Sequence, residues 1–410
     1  MIPVHILIVT QYFWPESFRI NDLTAALDER GHGVTVLTGM PNYPDGRFFK
    51  GYGPFSPSHE YFGRAHILRV PLISRGRSRG LRLVLNYFSY AFAASILGPL
   101  RCRGKFDVIL VYGPSPVTVA LPAVLMRWLK RAPLMFWVQD LWPESLAATG
   151  AVRARWILRL TAKMVAFIYH RCDRILAQSQ GFIARIAAVS NDPDRIRYFP
   201  NWAETLYQPT QLDADAPEMR EMPAGFRIMF AGNLGTAQSF ETILAAAERL
   251  KSHREIFWVI VGDGHARNWV EQQITKRGLG SQVRLLGRRP VQQMPRYFAL
   301  ADALLVTLRR DPIFALTVPS KIQSYLACGR PIVAALDGEG ATVIKKSKAG
   351  LTCAAEDAAG LSENILLLYR MSRAKREAMG MKGRQYYEAT FERERLLNQL
   401  EGWMHELARS

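Results

Sequence analysis

The chain has 410 residues, 49% hydrophobic and 21% charged, which excludes wholesale disorder and exceeds what one hydrophobic core usually serves. Two domains of roughly 200 residues each are therefore expected. Cys102, Cys172, Cys328 and Cys353 lie far apart with no C-x-x-C pair, which argues against a zinc site or a disulfide framework and for a reducing compartment.

Net charge is +18, and residues 1–200 hold 25 Lys and Arg against 12 Asp and Glu, so +13 of it lies there. No acidic residue occurs between Glu60 and Asp107, a stretch that carries Arg64, Arg69, Arg75, Arg77, Arg79, Arg82, Arg101, Arg103 and Lys105. Such a field suits phospholipid headgroups, a pyrophosphate-linked lipid or nucleic acid, and equally a plain solvated basic surface. Helix-turn-helix, RNP-like and zinc-knuckle patterns are absent, so no nucleic-acid partner is expected. Arg75, Arg77, Arg79 and Arg82 are the expected docking residues for an anionic inner-membrane surface, which makes the chain cytoplasmic and peripheral.

Taken in order, Met1–Thr10 is apolar but lacks a cationic start and reads as a buried first strand, not a signal peptide. Further strands are expected at 33–37, 67–70, 108–111, 134–138 and 174–177, with helices near 20–30, 80–97, 116–130, 154–170 and 181–189. Leu83–Leu100 has no charged residue, yet Asn86, Ser89, Ser95 and the Gly98-Pro99 break favour a buried or interfacial helix over a membrane span. The second half repeats the rhythm, with strands at 227–231, 257–261, 283–286, 303–306, 331–335 and 349–352. Its helices are expected at 239–252, 268–278, 292–299, 320–327 and 356–372. Alternation of this kind marks parallel βαβ units.

The predicted fold is α/β, two Rossmann-like doubly wound domains facing a central cleft. Residues 1–200 are expected to form the first domain, which holds the basic docking stretch, and 201–225, with Pro209, Pro217 and Pro223, a linker. The second Rossmann-like domain is expected over 226–385, then a C-terminal helix, 386–410, packing back toward the first domain.

Doubly wound domains bind ligands at the carboxyl ends of their strands. There, Gly232 and Gly235 let the main chain approach a ligand whose phosphates the next helix's amides can hold, though an ordinary Gly turn reads the same. Gly262 and Asp263 close the next strand in a turn that suits a base or ribose. Ser320 has the composition of a helix start, and Lys321 in that first turn opposes the helix dipole unless an anion sits beside it. In the first half, Asp140 ends a buried strand, placed to orient an acceptor hydroxyl or cap the following helix. Trp142 is a sugar platform, Glu144 an acceptor contact, and Glu16 and Arg19 after the first strand are further acceptor-binding candidates.

Through QYFWPE, QDLWPES, FPNW, GNLGTAQSFETILAAA, VGDG and FALTVPSKIQSYLACGRPIVAALDGEGA, the chain resembles glycosyltransferase family 4. In detail it resembles the bacterial WbuB-like N-acetylfucosaminyltransferase branch of O-antigen and capsule assembly. The resemblance implies a GT-B fold, retention of anomeric configuration, a nucleoside-diphosphate sugar on the second domain, an acceptor on the first, and no metal or other cofactor. The implied donor is UDP-linked, and an N-acetylated deoxyhexosamine such as N-acetylfucosamine is the implied sugar. The implied acceptor is an undecaprenyl-pyrophosphate-linked glycan. Asn233 and Gln238 stand where many members carry a pyrophosphate-gripping Arg and Lys, and Leu316 and Ser324 stand where the Glu-x7-Glu carboxylates would be. Neutralisation then falls to Lys321 with Arg309 or Arg310 and helix amides, with Ser324 lining the donor pocket and Glu339 replacing a sugar-binding carboxylate.

Two other readings compete. A dinucleotide oxidoreductase lacks its G-x-G-x-x-G after the first strand. A non-catalytic, membrane-bound sugar-nucleotide adaptor would account for the missing carboxylates. The oligomeric state is not legible.

Overall fold

The computed structural model describes residues 2–54, 56–76, 80–148, 152, 154–212 and 215–409. Arg77 and Arg79 lie outside the described residues. The chain divides into two compact units, Met1–Phe199 with Glu394–Ser410, and Pro200–Arg393.

The first unit is built in the order β1 (His5–Val9), α1 (Arg19–Glu29), β2 (Gly33–Gly39), β3 (His59–Phe62), β4 (Ala65–Val70), α2 (Leu81–Arg101), β5 (Val108–Gly113), α3 (Ala120–Lys130), β6 (Leu134–Val138), α4 (Glu144–Ala148), α5 (Arg155–Tyr169), β7 (Arg174–Ala177), α6 (Gln180–Ser190) and β8 (Ile196–Tyr198). Its sheet runs β3-β4-β2-β1-β5-β6-β7-β8, parallel throughout except for the β3–β4 pair. The central strands are continuous apolar runs because both faces are covered, as in β1, where Ile6 to Val9 are fully buried. Two strands escaped the sequence reading. Both β3 and β8 are short edge strands, only partly buried, that form no apolar run.

From β4 to β8 successive strands step one way across the sheet, so right-handed crossovers place α2, α3, α5 and α6 on one face. The step from β1 to β2 is reversed, and α1 lies on the other face.

The second unit follows as α7 (Pro217–Glu221), β9 (Phe226–Ala231), α8 (Phe240–Arg249), β10 (Ile256–Val261), α9 (Arg267–Lys276), β11 (Val283–Gly287), α10 (Met294–Leu300), β12 (Ala303–Thr307), α11 (Pro312–Ala315), α12 (Ser320–Ala327), β13 (Ile332–Ala335), α13 (Gly338–Ser347), β14 (Gly350–Cys353), α14 (Ala358–Arg370) and α15 (Arg373–Thr390). Its six parallel strands run β11-β10-β9-β12-β13-β14. All six match expected strands. Helix α13 was not expected, because its Gly338-Glu339-Gly340 start reads as loop.

The segment expected as a free linker, 201–225, is instead tied into the second unit. Ala203 lies in its core, and Tyr207 stacks on Phe298 with ring centroids 5.8 Å apart. The acids of α7 find arginines, with Glu218 on Arg296 at 2.7 and 3.0 Å and Glu221 on Arg289 at 2.7 Å. The C-terminal region is likewise two helices, not one. α15 ends at Thr390, the buried Phe391 follows, and α16 (Arg393–Arg409) belongs almost entirely to the first unit.

Glu401 fastens α16. Its carboxylate is 1% exposed and accepts from Arg30 at 2.7 Å and meets the buried His32 imidazole at 3.0 Å. Glu401→Ala strands the buried His32 imidazole while Arg30 keeps Glu394 and Asn398, and urea unfolding is expected to show a loss of ~1–3 kcal/mol.

Candidate donor and acceptor sites

Parallel strands bring all their carboxyl ends to one edge, and in the second unit the loops there pack tightly. A Cβ on Gly262 would stand 1.9 Å from the Gly232 carbonyl oxygen, and both glycines hold positive φ, +138° and +140°. Only glycine allows the two turns to touch. The Leu234 amide donates to the Asp263 carbonyl at 2.9 Å, completing the junction of the first two motifs.

Lys321 reaches under this junction from the first turn of α12. Its Nζ donates to Gln238 Oε1 at 2.8 Å and lies 3.9 Å from the centroid of the Phe230 ring. A Cβ on Gly232 would lie 3.3 Å from the same nitrogen. Among the described residues no carboxylate pairs with it, and burial alone lowers its pKa to about 7. A cation held this way is short of one anion. Gly232, Gln238 and Lys321 are therefore brought together as expected, with exposed Gly232 and Ser320 beside them.

Other expected donor residues divide. The Asn233 amide lies against Gly235 and Gly264, whose Cβ positions would fall 2.7 and 2.6 Å from it. Asp263 accepts from the Gly264 amide at 2.8 Å. Arg310 is engaged by the loops after β13 and β14, donating to the Ala355 carbonyl at 2.8 Å and lying 3.9 Å from Asp337. Arg309 contributes its main chain, donating to the Ala237 carbonyl at 2.9 Å. Glu339 sits in the first turn of α13, and partial burial raises its pKa. That turn packs on the start of α12, since a Cβ on Gly340 would meet Pro319 at 3.2 Å. Ser324 does not fit its expected role, being buried with its hydroxyl donating back to the Ser320 carbonyl at 3.4 Å. A small side chain inside a helix satisfies itself locally, where a longer carboxylate would not. Phe230 was missed, since an aromatic inside a strand reads only as core.

In the first unit, Asp140 follows β6 and accepts from the Ser145 hydroxyl. Burial raises its pKa to about 6, against the Ser145 hydroxyl and the Leu141 amide, which pull it down. Trp142 meets Tyr87 edge-on at 6.5 Å, and the charges of Asp140 and Arg75 both act on the Tyr87 hydroxyl. Arg19 is half-buried near Tyr112, whose hydroxyl feels its charge. Glu144 opens α4, where its charge adds to the rise at Asp140.

Glu16 has a different place from the one expected. It is 1% exposed and accepts the amides of Asn42 and Tyr43, each at 2.7 Å, and of Phe13 at 3.1 Å. Its carboxylate organises the loops after β1 and β2 and presents no free oxygen to an acceptor. Burial still outweighs the three amides and raises its pKa to about 7. Beneath it, Gln11 donates to Asn86 at 2.8 Å and Asn86 to Asn42 at 3.3 Å, which ties both loops to α2. Tyr12, Tyr43 and Tyr87 were not singled out from sequence, because nothing local separates them from core aromatics.

Because folding lowers the Lys321 pKa, the unfolded chain binds the extra proton between about pH 7 and pH 10.5, and stability rises with pH across that window. Lys321→Met is expected to be ~1–3 kcal/mol more stable than wild type at pH 6. The gap should close toward pH 10 in chemical denaturation.

Two family models match the chain in tandem: Glycosyl transferase 4-like domain over residues 17–202, and Glycosyl transferases group 1 over 225–371. The probable glycosyltransferase WbjE of Pseudomonas aeruginosa is 27% identical over 296 residues, covering 70% of this chain and 71% of that protein. The putative colanic acid biosynthesis glycosyl transferase WcaI of Escherichia coli K12 is 25% identical over 336 residues, covering 79% and 81%. Among solved structures, sucrose-phosphate synthase from Thermosynechococcus elongatus aligns over 100% of both chains with a TM-score of 0.77 and 17% identity. Anabaena HepE, solved with UDP and glucose, aligns over 98% of this chain and 100% of its own with a TM-score of 0.71 and 16% identity. The fold is thus GT-B, and with both characteristic domains present in order the chain belongs to the glycosyltransferases of this group.

Proposed function

We propose that the protein transfers a sugar, with retention, from a nucleoside-diphosphate sugar to a lipid-linked oligosaccharide during surface polysaccharide assembly. The observation that carries this is Lys321, a half-buried lysine whose amine has no carboxylate partner among the described residues, beneath two touching glycine turns. A diphosphate would supply the missing negative charge and accept from main-chain amides around Gly232 and the start of α12. HepE was solved with UDP, which supports a uridine nucleotide, and the names WbjE and WcaI support a surface-polysaccharide setting. The WbuB-like placement, an N-acetylated deoxyhexosamine donor and an undecaprenyl-pyrophosphate-linked acceptor belong to this proposal. So does independence from metal, with Lys321 in the neutralising role.

In the transfer step the bond from the anomeric carbon to the diphosphate breaks, and the acceptor hydroxyl forms the new bond on the same face, its proton passing to an oxygen of the departing diphosphate. Lys321 and the amides stabilise the departing diphosphate. Asp140 orients the acceptor hydroxyl, and Trp142 offers the aromatic face on which a sugar ring packs.

Binding a diphosphate should restore the proton on Lys321. At pH 8 the free amine is mostly neutral, so calorimetry of UDP binding in buffers of different ionisation enthalpy is expected to show uptake approaching one proton. Lys321→Met should lose that uptake and most of the affinity. Uptake unchanged in the variant would remove Lys321 from the site.

Turnover is tested with a labelled nucleotide-sugar panel and a lipid-linked acceptor. Asp140→Asn is expected to lower kcat by ~100-fold or more while UDP binding is kept. The wild-type rate should fall as pH drops through about 6, where the Asp140 carboxylate is protonated. UDP-sugar binding without transfer or donor hydrolysis across the panel would favour the adaptor reading.

A further inference from the structure

The first unit leaves one helix surface uncovered. Along α2, Leu81, Leu85, Phe88, Phe92, Ile96 and Leu100 are each 43–74% exposed. Their spacing of three and four residues puts them on one side of the helix. The opposite side is held by protein. Asn86, Tyr90, Ala94 and Gly98 are buried, and the Tyr90 hydroxyl donates to the Thr10 carbonyl at 3.0 Å. Helix α2 packs against α3, and α3 against α5. On the outer surfaces of these neighbours stand Trp128, 75% exposed, and Trp156, Leu160 and Phe167, 68%, 60% and 43% exposed. Scattered exposed apolar residues need no explanation, but a continuous set on adjoining helices does.

Charge identifies what covers it. Helices α2, α3, α5 and α6 contain no Asp or Glu. The unit's other long helices carry Asp22, Asp28 and Glu29 on α1 and Glu394, Glu401 and Glu406 on α16. Exposed cations fringe the apolar surface: Arg103, Lys105, Arg131, Arg155, Arg159 and Lys163. Aromatic and aliphatic side chains on helices that carry cations and no acid match an anionic lipid interface, where tryptophan sits at headgroup depth and the cations meet phosphate.

Of the arginines expected to dock, Arg75 and Arg82 fall among the described residues. Arg75 stacks over Tyr43 at 5.0 Å, and Arg82 donates to Ser74 through two bonds of 3.1 Å.

We infer that the layer formed by α2, α3 and α5 inserts into the interface of an anionic phospholipid bilayer, with α2 lying in its plane and Trp128 and Trp156 as anchors. A spanning α2 would have to give up the polar bonds of Asn86 and Tyr90, so the helix enters only along its outer side. This deepens the membrane part of the proposed function and is independent of the donor site.

Vesicles of phosphatidylethanolamine and phosphatidylglycerol test it, with phosphatidylcholine vesicles as the neutral control. Wild type should sediment with the anionic vesicles and retain part of its binding at about 0.5 M salt, where headgroup charge is screened. Brominated acyl chains should quench its tryptophan fluorescence, and this quenching should shrink in the Trp128→Ser, Trp156→Ser variant. Phe88→Ser, Phe92→Ser, Ile96→Ser should bind on the order of 100-fold more weakly, because three inserted side chains are lost. Arg155→Gln, Arg159→Gln, Lys163→Gln should lose mainly the salt-sensitive part.

UDP binding should be unchanged in all three variants, which separates failure here from failure of the donor site. Wild-type binding abolished by salt with no quenching would overturn insertion. So would vesicle binding by the apolar variant equal to wild type, or self-association through this surface with no vesicle binding.

Discussion

A half-buried lysine amine with no carboxylate partner among the described residues is the constraint around which the second unit is arranged. Lys321 is tolerated because Gln238 offers one oxygen and Phe230 the face of a ring, and neither neutralises it. The turns above it can come close only because Gly232 and Gly262 lack side chains, one carbonyl occupying the space a Cβ would need. Its desolvation is a cost to folding, which in the proposed function a bound diphosphate offsets, exchanging stability for an anion site.

The first unit shows a related economy in its loops. Glu16 collects three amides from two loops, and the Gln11–Asn86–Asn42 chain ties those loops to α2. The same helix that offers Asn86 inward offers Phe88 and Phe92 outward. Asn86 and Tyr90 thus tie the inner side of α2 to the loops at the sheet's carboxyl edge. Asp140 lies at that edge, buried enough to hold its proton to about pH 6.

Much of the architecture was legible because both sheets are parallel and covered on both faces. Runs such as Ile6–Val9 and Val259–Val261 have no reading except buried strand. What escaped was the material that does not bury a continuous run: the edge strands β3 and β8, and α13, whose Gly-rich start hides a helix. The supposed linker failed for another reason. Its prolines and acids look like solvated chain, but Glu218 and Glu221 meet Arg296 and Arg289 from residues about 70 positions away.

Sequence alone determined the tandem α/β order, the strand-end motifs, and the family resemblance that joins them, because these depend on local pattern and spacing. Tertiary structure decided which motif residues face the same space. It set Lys321 beside Gln238, turned Ser324 onto its own helix, and drew Glu16 inward as a loop organiser. It also gathered the acid-free helices onto one side of the first sheet. Right-handed crossovers determine that side, and no single segment carries the information.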